Sequence, residues 1–321
     1  MQYGIEEEKY SYSKLDLFEQ CPYKYKLKYI DKYRSEESNI ALEIGTLAHL
    51  GKEKWAEYVI NKQIPDYNYI ERIINEGLEI ESIHMFNGVE IERDIENILG
   101  IYEIRKKYYD SYYSICNKTG MNYDEKFNVY LNNLRNELEN EWNVLAIEKK
   151  FKIQYDKYNI IGFIDRIDIN KNEELRVIDY KTSKEVFKDN KLTTPLQMFI
   201  YSLACEKLYN KRPIEYIYDF VFLNLEKKAC TKGYYERGIK KLNKIFNSIE
   251  ECKSKDEYIP KPTPLCYWCE FNSSTPLSDK KLNHLCPYFC LWAPNNRTFA
   301  KNSEYKKETQ NKWNKVFSFN F

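Results

Sequence analysis

Residues 158–181 read YNIIGFIDRIDINKNEELRVIDYK, two runs rich in Ile, Val, Phe and Tyr joined by Asn170-Lys171-Asn172. That texture predicts two strands and an intervening turn. Side chains alternate faces along a strand, so Ile161, Phe163, Asp165, Ile167 and Ile169 share one face of the first run. In the second, Leu175, Val177, Asp179 and Lys181 share a face, and Arg176, Ile178 and Tyr180 take the other. An acid in the middle of an apolar face is costly to bury unless it is paired or binds a cation. Asp165 is such an acid. Asp179 closes an apolar strand with the Lys181 ammonium beside it. Gly162, three residues before Asp165, removes a side chain and allows close backbone approach. A further strand is expected over 144–156, turning at Asp156-Lys157, and it carries Glu148 in AIEKKF.

Three carboxylates on neighbouring strands make a hard oxygen site suited to Mg²⁺ or Mn²⁺. A lysine beside them can orient a water, help to deprotonate it and offset phosphate charge. Together these groups suit metal-assisted phosphodiester hydrolysis. Taken alone, Asp179-Tyr180-Lys181 reads more simply as a surface ion pair; the sheet context and the set Glu148, Asp165, Asp179 and Lys181 turn the reading towards catalysis.

Working outward, a helix is expected at about 192–210, a strand near 214–225, a weaker strand near 228–235 and a helix near 236–252. Upstream, Ser13 caps the helix in LDLFEQ, Pro22 stops it and opens the next, and 41–60 has mixed helical spacing. From Tyr69 to Trp142 the pattern reads as mostly helical, with breaks near Asn87-Gly88 and Thr119-Gly120. The expected fold is α+β, or mixed α/β, with a central mixed sheet flanked by helices. The expected organisation is a helical N-terminal region over 1–143, a core over 144–255 and a cysteine-containing tail over 256–321 packed on the N-terminus.

The acidic strand pair, GFIDRID followed by VIDYKT, resembles the PD-(D/E)XK nuclease superfamily in its RecB/AddB-like branch. Asp165 matches the first acid of that pattern, and Asp179 and Lys181 match its Asp-x-Lys pair. Gly45-Thr46-Leu47-Ala48-His49 resembles the branch's G-T-x-x-H helix, Glu148 its upstream acid, and Gln197 with Tyr201 its Q-x-x-x-Y helix. The resemblance implies a Mg²⁺- or Mn²⁺-dependent DNA nuclease that works from DNA ends. His49, Glu148, Asp165 and Asp179 would hold the metal, and Lys181, Gln197 and Tyr201 would complete the catalytic set. Gln197 and Tyr201 stand i, i+4 on one helix face, where Gln197 could hold a phosphate or water and Tyr201 could stack on DNA or hydrogen-bond to it. Gly45, one turn before His49, leaves a gap beside it. His84 has no such company and is read as structural.

The cysteines carry a second pattern. Cys266-Tyr267-Trp268-Cys269 is a C-x-x-C unit, Cys286 and Cys290 follow, and Cys21-Pro22 stands near the other end. One distant cysteine and a C-terminal trio resemble the iron–sulfur variant of the same branch, shared by AddB-type subunits and the CRISPR-associated adaptation nuclease. That resemblance implies a structural [4Fe–4S] cluster on Cys21, Cys266, Cys269 and Cys286. The gap of sixteen residues between Cys269 and Cys286 departs from the family's short one. Cys290 is therefore an alternative fourth ligand, and Zn²⁺ on Cys266, Cys269 and Cys286 with His284 or Cys290 is the alternative metal. Cys116, Cys205, Cys230 and Cys252 read as ordinary thiols.

After Cys21 comes PYKYKLKYIDKYR, in which Lys24, Lys26, Lys28, Lys32 and Arg34 interleave with tyrosines. It reads either as a strip that grips phosphates and stacks bases or as a solvated helix face with its tyrosines turned inward. Lys+Arg 50 against Asp+Glu 49 give the 321-residue chain a net charge of +1, so any DNA-binding surface must be local. At 43% hydrophobic and 31% charged the chain is a folded, soluble one. No apolar run reaches the ~20 residues of a membrane span. The opening MQYGIEEEKYS lacks a secretory core, and nine cysteines without such a signal point to metal before disulfides. No G-x-x-x-x-G-K-[ST] occurs, so a helicase or recombination protein would be a partner, not part of the chain. The expected partner is DNA, as ends or single-stranded tails, without a membrane, in the cytoplasm of a bacterium or of a phage-infected one. The rival readings are a non-catalytic DNA-binding subunit and a CRISPR spacer-adaptation nuclease.

Overall fold

The computed structural model describes residues 8–33, 40–86, 89–110, 112, 122–137, 141–183, 186, 196–229, 233–261, 266, 269–271, 282, 285 and 286, without the side chains of 81–95. Its elements run β1 (Lys9–Tyr10), α1 (Tyr12–Gln20), α2 (Pro22–Tyr25), a π-helical turn (Lys26–Ile30), α3 (Ile40–Ile60) and α4 (Tyr67–Glu76). A hairpin of β2 (Gly77–Phe86) and β3 (Val89–Leu99) follows, then α5 (Ile101–Lys107) and α6 (Tyr123–Asn136). The remainder is β4 (Trp142–Tyr155), β5 (Tyr158–Asn170), β6 (Leu175–Lys181), α7 (Leu196–Tyr209), β7 (Glu215–Phe220), β8 (Leu225–Lys228) and α8 (Tyr234–Lys255). No helix among the described residues is long and apolar enough to cross a membrane.

The chain forms two compact units, one of residues 1–10 with 38–241 and one of 11–37 with 242–321. The first contains a six-stranded mixed sheet. β4 and β5 form its long antiparallel hairpin, β6 pairs antiparallel with β5, β7 parallel with β6, and β8 antiparallel with β7. The two residues of β1 add in parallel to β5 at Asn159 and Ile160. The parallel β6–β7 pair needs a crossover, and α7 lies in that connection. A mixed sheet with flanking helices is the architecture the sequence implied.

One stretch differs. The residues either side of Asn87-Gly88 form an antiparallel hairpin paired from Gly77↔Leu99 to Phe86↔Val89, with a register shift between His84 and Met85, where the sequence pattern predicts a helix. Leu78, Ile80, Glu79 and Glu81 alternate with period two, and Asn-Gly between alternating segments is the strongest short-range hairpin signal. Isoleucine and glutamate also fit a helix, so the same stretch carries a weaker period of 3.6.

Helix α3 is the sheet's principal partner. Ile44, Leu47, Ala48, Leu50, Trp55 and Ala56 are buried in a core that also takes Ile178, Tyr180 and Ile217 from the sheet. Gly51 is where this helix comes closest to its neighbour: a Cβ there would lie 2.4 Å from the Tyr130 hydroxyl, which donates to the Ala48 carbonyl at 2.7 Å. In the second unit, Leu27, Phe271 and Leu282 form a small core with Tyr23, Cys269, Leu285 and Cys286 packed on it.

Candidate metal centre

Four elements of the first unit meet at the acidic end of the sheet. β4 brings Glu148, β5 Asp165, β6 Asp179 and Lys181, and α3 His49. His49 and Thr46 lie on the side of α3 away from its buried stripe, an arrangement that helical periodicity imposes. The His49 Nδ1 lies 3.3 Å from Glu148 Oε1 and 3.9 Å from Asp165 Oδ2. One ligand atom each from His49, Glu148 and Asp165 can be chosen so that all lie within 4.8 Å of one another. The His49 ring stands edge-on to Tyr180, centroids 5.7 Å apart.

Glu148 occupies its position with φ +43°. A non-glycine residue in the left-handed region is uncommon, most of all inside a strand, and costs on the order of 1–3 kcal/mol. A register shift between Val144 and Ala146 precedes it. Bulges of this kind re-aim side chains and recur beside active sites. Here the irregular backbone carries the one carboxylate of β4 that meets His49.

Asp165 is 8% exposed and its Oδ2 accepts the Tyr180 amide at 2.8 Å. Burial, then the negative charge of Asp179, raise its pKa to about 7, against the lowering effect of His49. Burial acts to lower the His49 pKa, but the hydrogen bond to Glu148 and the charges of Asp165, Glu148 and Asp179 outweigh it and hold the ring near 9. The metal-free site therefore draws protons in to offset its excess of carboxylates.

Asp179, 1% exposed, belongs to a closed ring of contacts. Lys181 ion-pairs with its Oδ2 and donates to Gln197 Oε1 at 3.2 Å. Gln197 Nε2 donates to the Tyr201 hydroxyl at 2.9 Å, and that hydroxyl donates to Asp179 Oδ1 at 3.4 Å. Asp179 Oδ2 has the Lys181 charge close by, yet no donor in hydrogen-bond geometry. A buried carboxylate oxygen so placed is one a cation can complete. Tyr201 departs from the expected DNA contact. It is buried, its ring stands edge-on to Phe151, and burial with the charges of Asp179 and Asp165 keeps its phenol protonated. Its hydroxyl thus braces Asp179, and its ring has no face to offer a base.

Gly45 lines the groove beside His49, and a Cβ there would meet Thr182 Oγ1 at an ordinary 3.7 Å. The gap is therefore open space beside the site, not a packing necessity. Sequence reasoning passed over Tyr180, whose amide and ring hold Asp165 and His49. Its contacts come from the backbone and from α3, and no motif signals them.

In the second unit, Cys21 caps α2, its sulfur accepting the Lys24 amide at 3.4 Å. The Cys269 amide donates to the Cys266 carbonyl and the Cys286 amide to the Phe271 carbonyl, each at 3.2 Å. Cys269 and Cys286 pack on the core that Leu27 and Tyr23 share, so the two distant cysteine segments meet. None of these four is in a disulfide. Burial raises the Cys269 thiol, with the Lys24 charge opposing. Cys290 and His284 lie outside the described residues, as do Cys116 and Cys230. In the basic strip, Lys24 faces Glu270 at 3.8 Å, Lys26 binds Asp31 at 2.8 and 2.9 Å, and Lys28 is exposed. Tyr25 is fully buried, so the strip turns one tyrosine wholly inward and spends two lysines on acids.

The family model of the PD-(D/E)XK nuclease superfamily matches residues 9–274. The chain belongs to the PD-(D/E)XK nuclease superfamily. No curated protein matches it. Membership implies a metal-dependent nuclease, a phosphodiester hydrolase with DNA as its substrate. The group of His49, Glu148 and Asp165 is one that can hold a divalent ion.

Proposed function

We propose that the chain is a Mg²⁺- or Mn²⁺-dependent DNA exonuclease or end-processing nuclease of the RecB/AddB-like branch. The observation that carries the catalytic reading is the lysine: Lys181 touches Asp179 and is fixed by Gln197, beside the His49–Glu148–Asp165 group. His49, Glu148, Asp165 and Asp179 would hold the metal. Bound there, a divalent ion lowers the pKa of water and polarises a phosphoryl oxygen. The Lys181 ammonium orients the attacking water and offsets charge as the water oxygen bonds to phosphorus and the P–O bond to the leaving strand breaks. Gln197 keeps that ammonium in place, and the Tyr201 hydroxyl fixes the Asp179 carboxylate. Both are positioning residues.

A [4Fe–4S] cluster on Cys21, Cys266, Cys269 and Cys286 belongs to the same proposal. It is supported by Cys269 and Cys286 packing on one small core with Tyr23, two residues after Cys21, with Cys21 and Cys266 also free of disulfides, and a cluster joins segments that little other packing orders. The test is digestion of end-labelled DNA, with and without Mg²⁺ or Mn²⁺, by anaerobically purified protein. Ladder-like shortening from one end, with iron and acid-labile sulfide in the sample, is the expected result. Metal-dependent cuts only in the interior of the strand would overturn the end-directed reading. Stoichiometric zinc without iron would replace the cluster by Zn²⁺.

A further inference from the structure

A groove opens beside His49 and Glu148, with a volume of about 560 Å³, and Leu42, Gly45, Thr46 and Phe163 contribute to its lining. Its walls are largely apolar, with Thr46 and the Glu53 carboxylate besides the metal-site residues. Phe163 is 53% exposed, although Ile164 and Asp165 after it are buried. Leu42, across the groove, is 61% exposed. A phenylalanine left half open beside buried Ile164 gives up about half of the ~1.5–3 kcal/mol that burial would contribute. Strand alternation puts Phe163 on the same face of β5 as Asp165, two residues away, at roughly 7 Å. On β4, exposed Lys150 is paired with Phe163.

Resting on the nuclease reading above, we propose that this groove holds the nucleotide next to the scissile phosphate, with its base stacked on Phe163 and a phosphate facing Lys150, so that the site takes an unpaired strand. An aromatic face beside a lysine is the combination that grips single-stranded DNA without reading its sequence. The ring selects the strand's state: a base can lie on Phe163 only when it has left the stack of a duplex. Gly45 serves the same end, since it keeps the groove floor clear where the strand must pass. The preference for unpaired ends follows from the geometry: a paired end would have to fray before its last base reached the ring.

The experiment measures Kd by fluorescence anisotropy in Ca²⁺, with a labelled oligodeoxythymidine and a labelled blunt duplex, for wild type, Phe163→Ala, Phe163→Leu and Phe163→Trp. Stacking predicts that Phe163→Ala and Phe163→Leu weaken single-strand binding roughly tenfold or more. Phe163→Trp should retain it, and duplex binding should change less than about twofold. Lys150→Ala should weaken single-strand binding and lower its salt dependence by about one phosphate contact. Unchanged single-strand binding in Phe163→Ala would overturn the proposal. So would equal losses on both DNAs, or full retention by Phe163→Leu, which would mean apolar contact and not stacking. Because Phe163 is half-exposed, its truncation leaves the fold standing, and a thermal melt verifies that. Failure of the nuclease reading shows separately, as wild type cutting neither DNA in Mg²⁺ or Mn²⁺ whatever the Kd values.

Discussion

Two carboxylate clusters lie on one strand, three residues apart, and they are treated in opposite ways. Asp168 on β5 is fully buried between two arginines: Arg166 donates to it at 2.6 and 3.0 Å and Arg176 at 2.8 Å. Arg166 also pairs with Glu137, which binds Lys52 at 2.8 Å, and Lys52 reaches Asp219 at 3.1 Å. Three acids there meet three bases. At Asp165, three acids meet Lys181 and His49 alone among the described residues, and Lys181 touches only Asp179 of the three. Buried charge is tolerated when it is paired and hydrogen-bonded and is costly otherwise. The balanced cluster is therefore scaffold. The unbalanced one is a group that can take a cation, and the balanced one lies next to it along the chain: Arg166 follows Asp165 in β5 and Lys52 lies one turn after His49 in α3.

The comparison breaks most sharply at the lysine. Lys181→Ala or Asp179→Ala should lower DNA cleavage by about 10³-fold while leaving folding and DNA affinity near wild type. Retained cleavage in either variant would remove the acidic cluster from catalysis. Next in size is Asp168→Asn, which leaves Arg166 and Arg176 without their shared counter-ion. It should destabilise by about 3–5 kcal/mol in denaturant titration, with activity per folded molecule unchanged. Asp165→Asn should do the reverse, losing activity and raising the melting temperature of the metal-free protein, because like-charge repulsion goes. If both variants destabilise alike, the two clusters do not differ as argued.

Acid titration sharpens the same contrast. Burial acts to raise the Glu137 carboxyl, but Lys52 and Arg166 outweigh it and hold the pKa at about 2. A depressed carboxylate stabilises the fold fully above its unfolded value, ~4.3, and loses that contribution as pH falls towards the folded one. The excess stability of wild type over Glu137→Gln, about 3 kcal/mol at neutral pH, should shrink between pH ~5 and ~2. A difference independent of pH would mean that Glu137 acts by packing alone. The smallest effect is expected at His49→Ala, where the metal concentration for half-maximal cleavage should rise about tenfold. An imidazole favours Mn²⁺ over Mg²⁺, so Mn²⁺-supported activity should suffer most. Unchanged half-saturation for both metals would return His49 to a structural role.

Much of the sheet was legible. The strands expected over 158–170 and 174–181 are β5 and β6 to within a residue, because β-branched alternation is a local property. The set His49, Glu148, Asp165, Asp179, Lys181, Gln197 and Tyr201 could be named from motif spacing, and these residues do stand in one region of the first unit. Less legible were the hairpin of β2 and β3, whose Ile–Glu alternation also satisfies a helix, and the inward turn of Tyr201 on α7, which depends on Phe151 from β4.

The sequence by itself determined where β4 to β7 run, which of their residues alternate on each face, and that acids fall at apolar positions. In GFIDRID, alternation puts Asp165 and Asp168 on opposite faces of one strand, but it does not say which of them will meet arginines. Only the tertiary structure decided that Asp168 meets Arg176 across β6 while Asp165 meets Glu148 and Asp179, and that Phe163 opens on a groove while Ile164 is sealed. The physical reason is that charge compensation and burial depend on distance through space, and the groups that supply them, Lys52, Glu137, Arg176 and Asp219, come from four elements far apart along the chain.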